Sequence, residues 1–178
     1  GNTMTDGQTP ANIVLAGTDG KIVVSGALTS PQIGFSVENV AENYVAVAKA
    51  DDVSDSDFAS ALTILASQYE GDKNYKVDSE GKLVSNRPTV QITATEWKSG
   101  AATATATISS DKAGTYCYAY VKKGAAAPSI ENSTEGGHVD ANGTATIKLD
   151  NLTDSAIDLY VWVKTDDGAV NAEPAKTT

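Results

Sequence analysis

The sequence predicts a mainly all-β protein: two β-sandwiches in tandem, with one short helix in the first. Three observations predict it. Short runs of alternating apolar and polar residues, each closed by Gly, Asp or Asn, recur along the chain and read as half-buried strands. The length of 178 residues fits two sandwich modules of about 100 residues each better than one. A single segment changes to helical period. The resulting division is a linker or tag remnant over 1–9, a first domain over 10–87 and a second over 88–175.

In the first domain, 13–15 and 21–24 are short β-rich runs around the turn Thr18-Asp19-Gly20. Over 32–38, Ile33, Phe35 and Val37 share one face, and 44–48 is a Val/Ala strand. The helix spans about 55–68. Ser54 or Ser56 caps it, Asp57 complements the dipole in its first turn, and Phe58, Leu62, Leu65 and Tyr69 repeat at helical spacing. Thr63 and Ile64 also suit a sheet, so a strand over 62–66 stays open. A hairpin follows, 73–77 to 82–84, through Ser79-Glu80-Gly81. Asn86-Arg87-Pro88 is the boundary, because proline ends the preceding element and forces an extended exit.

The second domain opens with strands over 90–97 and 101–109. Ala102, Ala104, Ala106 and Ile108 share one face of the latter, and Thr103, Thr105 and Thr107 the other. A strand over 116–122 precedes a segment, 124–142, that reads as loop. Ala145, Ile147 and Leu149 alternate with polar residues, as do Leu159, Val161 and Val163 with Tyr160, Trp162 and Lys164. Asp166-Asp167-Gly168 turns the chain into a last short strand near Val170. The tail 174–178 reads as linker. Matching anchors in the halves, such as the Tyr-Val-Ala-Val-Ala-Lys run ending at Lys49 and the run from Tyr116 to Lys122, suggest a divergent tandem repeat.

A net charge of −10 argues against nucleic acid and anionic membranes, whose affinity is supplied by Lys and Arg. The single cysteine, Cys117, excludes an internal disulfide and is expected to point inward. No apolar run spans a bilayer, so no membrane insertion is expected, and no segment reads as a signal peptide. The one histidine, His138, lies in a Gly-rich stretch without a nucleophile at motif spacing, so no catalytic residue and no cofactor are expected. The carboxylates at Asp51, Asp52, Asp55 and Asp57, and at Asp150, Asp154, Asp158, Asp166 and Asp167, lack the loop spacing that Ca²⁺ needs, and serve caps and turns instead. No metal is expected.

The most specific feature is aromatic. If Leu159, Val161 and Val163 face the core, Tyr160 and Trp162 face out; if Cys117, Ala119 and Val121 face in, Tyr116, Tyr118 and Tyr120 face out. On neighbouring strands the five rings would share one sheet surface, able to stack on a sugar or anchor a protein. Otherwise they are covered, or pair across strands to stabilise the sheet.

The run from Ile108 through Thr115-Tyr-Cys-Tyr-Ala-Tyr-Val-Lys122 to Pro128, with Leu152-Thr153 and Asp158-Leu-Tyr-Val-Trp-Val-Lys164, is similar to fibronectin type III-like, immunoglobulin-like repeats of Gram-positive bacterial surface proteins. The resemblance covers about half the chain. Where those repeats carry a corner tyrosine, Ile157 stands here. The resemblance implies a secreted, wall-associated, multi-domain protein. Its modules would serve as a non-catalytic spacer or adhesion segment or, alternatively, bind a cell-surface glycan or protein. It also raises a Lys–Asn isopeptide bond, for which Lys49 and Lys122 qualify by position.

Overall fold

The computed structural model describes residues 13–26, 28, 34–98, 100–153 and 156–177. The linker over 1–9, Ile33 and Asp154 lie outside the described residues. The protein is mainly β, and the chain divides into two compact units, Gly1–Asn86 and Arg87–Thr178.

In the first unit, β1 (Ile13–Leu15) pairs in parallel with β3 (Phe35–Val37), and β2 (Ile22–Val24) in parallel with β4 (Val47–Lys49). The hairpin expected from Ser79-Glu80-Gly81 joins β5 (Tyr75–Val77) to β6 (Leu83–Ser85). Gly81 has φ +80°, and a Cβ there would lie 2.0 Å from the Val47 carbonyl oxygen, so this turn accepts only glycine. Its own carbonyl accepts from both Ala46 and Val47. The strand expected over 44–48 is displaced: β4 begins at Val47, and Val45 forms an isolated bridge to Lys82.

The helical alternative holds. α1 spans Asp55–Ser67, and the Ser54 hydroxyl accepts from the Asp57 amide at 3.1 Å. Leu62 and Leu65 reach the core formed with Leu15, Val24, Phe35, Val47 and Leu83. Ser54→Ala should therefore lower the stability of this unit by about 1 kcal/mol, read as a shifted urea midpoint with unchanged slope.

The second unit is antiparallel throughout its described strands. β7 (Val90–Glu96), β8 (Ala104–Ser110) and β11 (Gly143–Leu149) form a three-stranded sheet with β8 in the middle. β10 (Thr134–Val139), β9 (Gly114–Lys122), β12 (Ile157–Thr165) and β13 (Ala175–Lys176) form a four-stranded sheet in that order. Both sheets contribute to one core, through Ala104, Ala106, Ile108, Ile147 and Leu149 on one side and Tyr116, Leu159, Val161 and Val163 on the other. The alternation of β8 is as expected from Ala104 onward, while Ala102 is exposed.

Two segments that read as loop or linker are strands. β10 lies within 124–142 and was concealed by its composition, Thr-Glu-Gly-Gly-His-Val, which has no apolar alternation. Its glycines are packing residues: a Cβ on Gly136 would lie 2.1 Å from the Tyr116 ring. β13 lies within the tail expected as linker. Val170, expected to centre the last strand, lies outside the described strands and forms an isolated bridge to Lys164.

Candidate functional site

The register of β9 on β12 decides the fate of the five aromatic residues. Tyr120 stands opposite Leu159, Tyr118 opposite Val161 and Tyr116 opposite Val163. Residues directly opposed in an antiparallel pair share a face, so the three tyrosines lie on the side of the core. Cys117 and Ala119 stand opposite Trp162 and Tyr160 on the other side. The expectation that Cys117, Ala119 and Val121 face in, and the tyrosines out, is thus reversed. Strict alternation fixes only which residues go together; the core face went to the tyrosine set, whose Tyr116 is buried in it and whose Tyr118 packs half-buried against it. The structure brings Tyr116, Tyr118 and Tyr120 together on one face and Tyr160 with Trp162 on the opposite one.

Exposure follows this division. Tyr116 is buried, its hydroxyl 3.5 Å from the Thr146 carbonyl, and burial raises its phenol above the ordinary tyrosine range. Tyr118 packs half-buried against the core, and Tyr120, at the strand end, is 40% exposed. Tyr160 and Trp162 lie on the outward side as expected from β12, yet only 4% and 6% of their surfaces are accessible. Their rings stack at 6.5 Å with an interplanar angle of 21°.

Around this pair lies a polar network absent from the sequence reading. β13 places Lys176 opposite Tyr160, and its ammonium sits 5.2 Å from the ring centroid. The same ammonium is 3.1 Å from the buried carboxylate of Asp158, which also accepts from the Gly124 amide at 3.0 Å. The Gly124 amide first, and Lys176 second, hold Asp158 below the usual carboxylate range; the Tyr160 hydroxyl and Asp158 hold Lys176 above the usual ammonium range. A depressed carboxylate stabilises the folded state above its unfolded pKa of about 4, and the contribution disappears as pH falls through the lower folded value. Stability of the second unit should therefore drop with acidification below about pH 4. Asp158→Asn should flatten that dependence in a pH series of thermal midpoints.

Asn171 supplies a second clamp. Buried beside β12, its Oδ1 accepts from the Val163 amide at 2.8 Å, while its Nδ2 donates to the carbonyls of Glu173 at 2.6 Å and Val161 at 3.4 Å. A side chain here does the work of strand pairing, between the Lys164–Val170 bridge and the two residue pairs of β13.

The remaining candidates stay apart. His138 is exposed, its Nε2 3.6 Å from Asp140. Cys117 is a half-buried free thiol. Asp55 and Asp57 occupy the first turn of α1, and among the described residues no group of three or more His, Cys, Asp or Glu could hold a metal ion. Lys49 bonds Asp55 at 2.5 Å, and Lys122 is exposed at the end of β9. A groove of about 220 Å³ opens between Trp97, Leu149 and Ile157, with Lys123 and Asp158 at its margin. Trp97, whose indole N–H donates to the Ala101 carbonyl at 3.0 Å, is the aromatic the sequence reading passed over. Compared with family models, curated proteins and solved structures, the chain matches none.

Proposed function

We propose that the chain is a non-catalytic spacer or adhesion segment of an extracellular, wall-associated bacterial protein, built from two fibronectin- or immunoglobulin-like β-sandwich modules in series. The observation that carries this reading is the strand order of the second unit. Its first, second and fifth strands form one sheet, its fourth, third, sixth and seventh the other, and both face a common core. That division supports the resemblance read from 108–128 and 152–164. In the first unit, α1 and the parallel pairs β1–β3 and β2–β4 depart from such antiparallel pairing; the module reading there rests on its separate core.

The aromatic residues support the spacer over the alternative, a carbohydrate- or protein-binding face of Tyr116, Tyr118, Tyr120, Tyr160 and Trp162. Those rings lie on two faces, and four of the five are buried or half-buried. A spacer needs rings packed for stability rather than presented. The test is location together with binding. Protease treatment of intact source cells should release peptides of this chain, and glycan arrays should give the same absence of signal for the parent and Trp162→Ala. Recovery only inside the cells would overturn the surface reading; binding by the parent chain that is lost in Tyr120→Ala, the one exposed ring of the five, would favour the alternative.

A further inference from the structure

Three Asn-x-Thr tripeptides occur in the second unit, at Asn132, Asn142 and Asn151, and each asparagine is exposed. Such tripeptides are acceptors for N-linked glycans when the middle residue is not proline. They are not equivalent. One class of bacterial oligosaccharyltransferase demands, in addition, an acidic residue two positions before the asparagine. Asn142 has Asp140 there, in Asp140-Ala-Asn-Gly-Thr144, whereas Asn132 follows Ile130 and Asn151 follows Leu149 at that offset.

The local structure suits the modified residue. Asn142 sits in the tight turn joining β10 to β11, closed by the Gly143 amide donating to the Asp140 carbonyl at 2.9 Å. Its φ of 55° is a left-handed conformation, shared by Asn151 at 57°, that asparagine tolerates better than most residues. Asp140 has 91% of its side chain accessible. Next to Asn142 lies a shallow hollow of about 280 Å³ lined by Thr89, Gln91, Ser109, Ser110 and Asp111. Hydroxyl, amide and carboxylate groups of this kind pair with sugar hydroxyls.

We propose that Asn142 is an N-glycosylation site, modified from a polyprenyl-diphosphate-linked glycan by a bacterial oligosaccharyltransferase. Asn142 Nδ2 forms a bond to the anomeric carbon, the anomeric C–O bond breaks, polyprenyl diphosphate leaves, and the amide proton passes to a base of the transferase. Thr144 is held in β11 opposite Ser109, so transfer takes place before the turn closes or when it opens. The folded turn then carries the glycan at the end of the module, over the hollow. In the source cell this rests on the extracellular reading, since donor and transferase act outside the cytoplasm.

The test is made independent of that reading by exporting the whole chain to a bacterial periplasm supplied with such a transferase and its lipid-linked heptasaccharide. Intact and peptide mass spectrometry should find one glycan, on the peptide containing Asn142. Asn142→Gln should abolish it. Thr144→Val, which keeps strand propensity and shape, should do the same in a chain that still unfolds cooperatively, and Asp140→Ala should remove most of it. An unmodified parent chain, or glycan spread equally over Asn132 and Asn151, would overturn the proposal while leaving the spacer reading intact.

Discussion

Trp162→Ala should destabilise the second unit by about 3–5 kcal/mol, the usual cost of deleting a buried large aromatic. The indole is 6% accessible and stacked on Tyr160, so truncation leaves a cavity and strips one face of Tyr160, itself held from the β13 side by Lys176. Trp162→Phe keeps most of the area and should recover more than half the loss. Urea unfolding monitored by far-ultraviolet circular dichroism measures both. If Trp162 were instead a presented ligand platform, the alanine variant would fall within about 0.5 kcal/mol of the parent, as surface substitutions do.

Asn171→Ala should cost about 3 kcal/mol or more, since it orphans a buried amide and two carbonyls at once and each unpaired group carries a penalty of about 1–3 kcal/mol. The loss should be local as well as global. With the clamp gone, β13 keeps the pairs Tyr160–Lys176 and Val161–Ala175, the reciprocal bonding of Leu159 with Thr177 and the Lys176–Asp158 ion pair. Hydrogen exchange of the Val163 amide should therefore accelerate far more than that of Ile108, which lies at the centre of the other sheet. Asn171→Asp keeps the acceptor for Val163 but loses both donors and buries a charge, so it should not rescue.

Much of this architecture was legible in the residues, for identifiable reasons. The helix announces itself by a serine cap, an acidic first turn and a four-residue apolar repeat, signals independent of tertiary context. β8 and β12 are legible because their alternation is uninterrupted. β10 was not, because its role is to be small: Gly136 leaves room for the Tyr116 ring that another strand supplies. β13 was not, because two residues carry no period, and what secures them is the reach of Asn171 and Asp158 from elsewhere. The parallel pairing in the first unit has no local signature either, since three-residue strands read alike in both directions.

The aromatic site separates what a single strand can reveal from what a pair of strands decides. Alternation along β12 correctly put Tyr160 and Trp162 opposite Leu159, Val161 and Val163. Alternation along β9 has two solutions, and hydropathy favours the wrong one: Cys117, Ala119 and Val121 are the more apolar set, but Tyr116, Tyr118 and Tyr120 are the larger, and Tyr116 and Tyr118 pack into the core. The smaller residues Ala119 and Cys117 stand opposite Tyr160 and Trp162 on the outward face.

Tyr160 and Trp162 are structural residues, packed and not presented. With Trp97→Phe leaving Trp162 as the sole indole, acrylamide quenching of the native protein addresses that packing most directly. A packed indole should give blue-shifted emission and quenching far weaker than in the urea-unfolded chain. Red-shifted emission, quenched as readily in the native as in the unfolded protein, would contradict it.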